Sequence, residues 1–173
     1  MTTEPQAWIG CLAAYNSGHL HGEWVDLDCE VALDEACKKI LATSPVDDAE
    51  ELWVMDHEGL PISRECSPAE ALRLGLIVHA FEGRGFDLEI VTFAMDQIQS
   101  DGLAELLEYV DNNYLGHFED AESMAYDHCE SMGWEAPAWA IHFIDYKAMG
   151  EALLQDYSHV ELNSGGIAVF YNQ

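Results

Sequence analysis

Between Arg84 and Lys147 the chain runs for 62 residues without a lysine or an arginine, and over that stretch it places 14 aspartates and glutamates. This constrains the fold more than any motif does. Each helix drawn from the stretch must turn an acid face to water and an apolar face inward, because no basic side chain is at hand to pair a buried carboxylate. The imbalance extends over all 173 residues, where 33 acids against six bases give a formal charge of −27. The chain still has the means to fold. Hydrophobic residues make up 49% and aromatics 10%, which acidic disordered tails lack.

The apolar spacing predicts an α+β chain. Residues 7–15 and 23–27 read as strands around the turn Asn16-Ser17-Gly18, with Trp24 and Leu27 among the apolar positions. A short helix is expected over 34–42, with Ala36, Cys37, Ile40 and Leu41 on one side, then a strand over 51–56. Ser67-Pro68-Ala69-Glu70 is a helix start, since Ser67 can cap, Pro68 suits the first turn and Glu70 completes a capping box. That helix should reach Phe81, break at Gly83-Arg84-Gly85 and be followed by a helical segment over 86–99.

Two further helices carry the acids. Over 101–114, Leu103, Leu106, Leu107, Val110 and Tyr114 share a face, while Asp101, Glu105, Glu108 and Asp111 share the other, and Gly116 is read as the stop. Over 119–132, Ala121, Met124, Ala125 and Met132 point inward and Glu119, Glu122, Asp127 and Glu130 outward, with Gly133 as a left-handed cap. The chain should close with a short helix over 145–154 and a hairpin of 160–162 and 167–171 around the turn 163–166.

Most chemistry is excluded by spacing. Asp26-Leu27-Asp28-Cys29-Glu30 opens like a calcium loop, but Val31 stands where glycine is needed and Cys37 where a bidentate glutamate is needed. His19-Leu20-His21 lacks zinc-site company, so a surface or packing role is expected. Gly83-Arg84-Gly85 has no third glycine for a dinucleotide loop. Five cysteines, at 11, 29, 37, 66 and 129, form an odd set without CxxC and read as reduced thiols of a cytoplasmic protein. Met1 to Glu4 lacks the basic residue of a signal peptide, and no apolar run is long enough to span a bilayer. No catalytic residue, cofactor or metal is assigned. A surface this negative also argues against direct contact with nucleic acid or anionic membrane.

The charge itself is the remaining signal. Ordinary helix faces interleave signs, because opposite charges at i,i+4 gain about 0.2–0.5 kcal/mol and like charges lose as much. Asp101/Glu105 and Glu108/Asp111 repel across successive turns. One use for such a surface is mimicry of duplex DNA, which carries one charge per ~1.7 Å of axis. Halophile adaptation, or an acidic partner for some other basic DNA-binding protein, would give a similar composition.

The segment Tyr15-Asn16-Ser17-Gly18-His19-Leu20-His21-Gly22-Glu23-Trp24, preceded by Trp8-Ile9, resembles the Y-N-x-G-x-L-x-G-x-W signature of the ArdA antirestriction proteins. Asp56-His57-Glu58-Gly59-Leu60-Pro61, Phe118-Glu119-Asp120-Ala121 and Phe143-Ile144-Asp145-Tyr146-Lys147-Ala148 follow in the family's order, so that the resemblance runs from about 7 to 171. Residues 82–100 match no block, and Glu151-Ala152-Leu153 stands where the family commonly shows Arg-Asp-Leu.

The resemblance implies an elongated α+β protein. Its lobes would be 1–66, with a small mixed sheet, a central helical 67–115, and 116–173, ending in a β-hairpin. It further implies a DNA mimic borne by mobile elements in the bacterial cytoplasm and acting as a homodimer. Its partners would be the specificity and methyltransferase subunits of Type I restriction–modification enzymes. On this reading the working residues are Asp101, Glu105, Glu108, Asp111, Glu119, Asp120, Glu122, Asp127 and Glu130, each contributing little alone.

Overall fold

A computed structural model describes residues 4–172. The first three residues of the Met1–Glu4 segment, considered above for a signal peptide, lie outside the described residues. The chain divides into two compact units, Met1–Thr92 and Phe93–Gln173. The architecture is α+β, with two small antiparallel sheets and a C-terminal hairpin.

In the first unit, β1 (Gln6–Cys11) lies between β2 (Gly22–Asp26) and β3 (Leu52–Glu58). Both pairings are antiparallel, so the sheet is not mixed. Its inner face buries Ala7, Ile9, Cys11, Val25 and Val54. Two helices pack in this unit: α2 (Glu30–Ala42) and α3 (Pro68–Glu82). Ser67 caps α3 as its sequence requires, accepting from the Glu70 N–H at 3.2 Å, and the Glu70 carboxylate pairs with Arg64. The α3 core residues Leu74, Ile77, Val78 and Phe81 are buried, and burying each such side chain stabilises by roughly 1.5–3 kcal/mol.

Two further expectations are corrected in this unit. Residues 12–16 are not strand but a one-turn helix, α1 (Leu12–Asn16). The Cys11 N–H donates to the His21 carbonyl at 2.9 Å and the Leu12 N–H to the Glu51 carbonyl at 3.0 Å, the last sheet-like bonds before the helical turn. Helix α2 starts at Glu30 rather than 34, which brings Leu33 into the core beside Ile40. Helix α3 ends at Glu82 with Gly83 as its cap, where the Gly83-Arg84-Gly85 break was expected.

The division between the units falls within α4 (Leu88–Ile98), the helix expected over 86–99. The second unit continues with α5 (Leu103–Asn113), β4 (Tyr114–Phe118), α6 (Ala121–Ser131), a 3-10 turn (Ile141–Phe143), α7 (Tyr146–Leu153), β5 (Tyr157–Glu161) and β6 (Ile167–Tyr171). Its strands run in the order β4-β6-β5. Phe170 on central β6 is fully buried against Phe93, Tyr109 and Tyr114, with ring centroids 4.7, 6.0 and 5.4 Å away.

Strand β4 was not expected. Gly116 does not stop α5; it pairs with Val169 inside the sheet, and the helix ends at Asn113. Helix α6 ends at Ser131, which leaves Met132 outside the core at 72% exposure instead of inward. Leu103 is likewise exposed, because it opens α5 and has no preceding turn to pack beside. Gly133 does take the left-handed conformation, with φ +64°, that a helix C-terminus favours.

Candidate functional site

Helix α5 turns Leu106, Tyr109, Val110 and Asn113 into the core, and the same geometry puts Glu105, Glu108 and Asp111 in solvent. Glu105 accepts a hydrogen bond from the Ser100 hydroxyl, which fixes it at the start of the helix. Asp101 lies half-buried in the segment before α5. On α6 the buried residues are Met124, Ala125 and Cys129, while Glu122, Asp127 and Glu130 are exposed. Glu119 and Asp120 are exposed in the turn leading into that helix.

Asp120 has a structural task as well. It caps α6 through a capping box: its Oδ1 accepts from the Ser123 N–H at 2.8 Å, and its own N–H donates to Ser123 Oγ at 3.0 Å. A carboxylate at a helix N-terminus also meets the positive end of the macrodipole. This acid therefore holds the helix that displays the others.

Within residues 93–173 there are 15 acids and a single lysine or arginine, Lys147. One cation cannot offset the carboxylates of α5 and α6. Successive-turn pairs such as Glu105/Glu108, Glu108/Asp111 and Asp127/Glu130 put like charges about 5–6 Å apart at Cβ. In the first unit bases do meet acids, as in Lys38–Asp34, Lys39–Glu23 and Arg64–Glu70. These are exposed pairs of small energetic weight.

Other candidate chemistry has structural explanations. His21 Nε2 lies 2.8 Å from the Ile40 carbonyl, the packing role expected of it, and His117 Nε2 lies 2.9 Å from the Gly165 carbonyl. Among the described residues no group of three or more His, Cys, Asp or Glu side chains converges on a metal-sized site. All five cysteines are free thiols. No helix among the described residues is long and apolar enough to cross a membrane.

One feature escaped the sequence reading: a pocket on the outer face of the first sheet, walled by Trp8, Trp24 and Trp53. The signal for it was present. Trp8 and Trp24 occupy outward positions of alternating strands, where polar residues are the rule.

The fold and surface define a class: a small α+β protein whose second unit is rich in acids and poor in bases and displays acid faces on two helices. The chain belongs to the ArdA antirestriction protein family, whose model matches residues 7–167. Membership implies an antirestriction function, exerted on restriction–modification enzymes. No curated protein matches the chain.

Proposed function

We propose that the protein is a DNA mimic that occupies the DNA-binding site of Type I restriction–modification enzymes. The observation that carries this reading is the pair of exposed acid faces on α5 and α6, in a unit whose sequence holds 15 acids and one lysine or arginine. Enzymes that grip duplex DNA set Lys and Arg against a regular anionic lattice. Carboxylates repeated on successive helical turns, about 5–6 Å apart, match the scale of phosphate spacing along a strand. The field of such a surface also speeds the approach to a basic channel.

On this reading the partner surfaces are the specificity and methyltransferase subunits, so that occupation blocks modification as well as restriction. The protein needs no catalytic group, cofactor or metal, and it works in the cytoplasm of a bacterial host. Homodimer formation belongs to the same reading. It is supported by Trp139 and Phe143, which are 76% and 83% exposed in a segment that also exposes Met132, Trp134 and Ile141. Clustered large apolar side chains on a charged protein are a mark of association surfaces.

Expression in a host that carries a Type I restriction enzyme tests the proposal. Unmodified phage should plate efficiently in the presence of the wild-type protein. A variant combining Glu105→Gln, Glu108→Gln, Asp111→Asn, Asp127→Asn and Glu130→Gln should lose most of that protection. Full protection by a folded five-amide variant would contradict the mimicry.

A further inference from the structure

We propose that the tryptophan-walled pocket of the first unit is a binding site for an arginine-bearing peptide segment of a protein partner. This inference does not rest on DNA mimicry, since it concerns a different surface and a different ligand chemistry.

The outer face of the first sheet carries Trp8, Trp24 and Trp53 beside the polar Gln6, Asp26, Asp56 and Glu58, where a solvated face needs no indole. Trp8 and Trp24 stand directly opposite each other on β1 and β2, with ring centroids 6.1 Å apart and planes at 69°. Trp53 stands opposite Gly10, and the missing side chain there leaves room for Met55: a Cβ at Gly10 would come 2.7 Å from Met55 Sδ. Helix α1 and the loop after it add Tyr15 and Leu20 to the wall. The resulting pocket holds about 780 Å³, within the range of about 300–1,000 Å³ that ligand sites occupy.

This is not spare core. Tyr15, Leu20, Trp24 and Trp53 are all exposed, Leu20 at 77%. None of these side chains is acidic, so the charge of the protein leaves them unexplained.

The chemistry of the wall selects the occupant. Among the described residues its charged lining is Asp56 and Glu65, with no base. Indole faces beside carboxylates favour a cation, and a planar, weakly hydrated guanidinium suits them better than a compact ammonium. Arginine can stack on a ring while its edge donates to a carboxylate. The volume exceeds one guanidinium and admits the flanking peptide. Among the described residues the Trp8 indole N–H is buried and has no acceptor.

The test is a titration of the full-length protein with the tripeptide Ac-Gly-Arg-Gly-NH2, followed by the indole N–H signals in two-dimensional NMR. It is run in about 0.3 M salt, where non-specific attraction is screened beyond several ångströms. The five tryptophans provide an internal control, because Trp134 and Trp139 lie in the other unit. The proposal expects saturable shifts of Trp8, Trp24 and Trp53 while Trp134 and Trp139 stay in place. It also expects binding at least about tenfold weaker for the citrulline analogue, which keeps the shape and loses the charge. Asp56→Asn should weaken the arginine peptide and leave the citrulline peptide unchanged. The proposal is overturned by parallel shifts of all five indoles, by equal binding of both peptides, or by no saturable shift up to about 10 mM.

Discussion

Gly150, in the middle of α7, lies directly against the backbone carbonyl of Ala121, the first residue of α6. A Cβ at position 150 would fall inside that carbonyl oxygen. The close approach lets the two helices bury Ala125, Cys129 and Tyr146 between them, with Ile144, Met149 and Leu153 packed around the edge. Helix α6 carries a third of the proposed mimic, so its seat on α7 matters to function. Gly150→Ala should cost about 1–3 kcal/mol or more through overpacking. The check is the midpoint of urea unfolding, which an adequate seat for alanine would leave unmoved.

Asp120 separates a structural charge from a functional one. Because its carboxylate caps α6, Asp120→Ala should destabilise by about 0.5–2 kcal/mol, whereas asparagine retains the acceptor. Asp120→Asn is therefore expected to unfold near the wild-type midpoint and to show only the small loss of inhibition due to one charge. An equal loss of stability in both variants would contradict the cap.

The same helix shows what the sequence could and could not reveal. Its acid face, its Gly133 cap and its inward Met124 and Ala125 were legible, because a helical period records which side meets the core. Ser67 before α3 and Pro68 at its start were legible for a local reason: capping is decided within one turn. Strand β4 was not. Tyr114-Leu115-Gly116-His117-Phe118 becomes a strand through pairing with β6, some fifty residues later, and nothing local announces that partner. Helix α1, five residues long, is shorter than any window in which a period can be read. The aromatic pocket was hidden similarly, since register between β1, β2 and β3 decides that Trp8, Trp24 and Trp53 share one face.

The thiols should differ sharply in reactivity. Cys29 is exposed, while Cys11, Cys66 and Cys129 are buried. Burial first, and then the Asp34 charge, push the half-exposed Cys37 thiol up, which suppresses its thiolate. With a disulfide reagent near pH 8, Cys29 is expected to react first, Cys37 slowly, and the other three only on unfolding. Five equal rates would refute that order.

Burial also raises the Cys66 thiol, aided by Glu70 and opposed by Arg64, and burial raises the Tyr109 phenol. A group that holds its proton more tightly when folded stabilises the fold while both states stay protonated. That contribution is lost as pH rises above the ordinary thiol and phenol values, where the unfolded chain ionises first. The urea midpoint should therefore fall on the alkaline side, and less steeply in Cys66→Ala.

Self-association has its own test. Trp139→Ser with Phe143→Ser removes the two most exposed aromatic side chains of the 132–143 segment without touching an acid. Sedimentation equilibrium should show a dimer for the wild type and a monomer for the double variant. A dimer of undiminished affinity would place the interface elsewhere.

The central claim is that ordered carboxylates on α5 and α6 stand in for DNA phosphates. Its most direct test is competition: displacement of duplex DNA from a Type I methyltransferase core, measured across a salt series. The wild type should displace DNA stoichiometrically at moderate salt, with an affinity that falls linearly in log–log form as salt rises. The five-amide variant should bind more weakly and with a flatter salt slope. Failure of the wild type to displace DNA, or identical affinity and slope in the two proteins, would contradict the account.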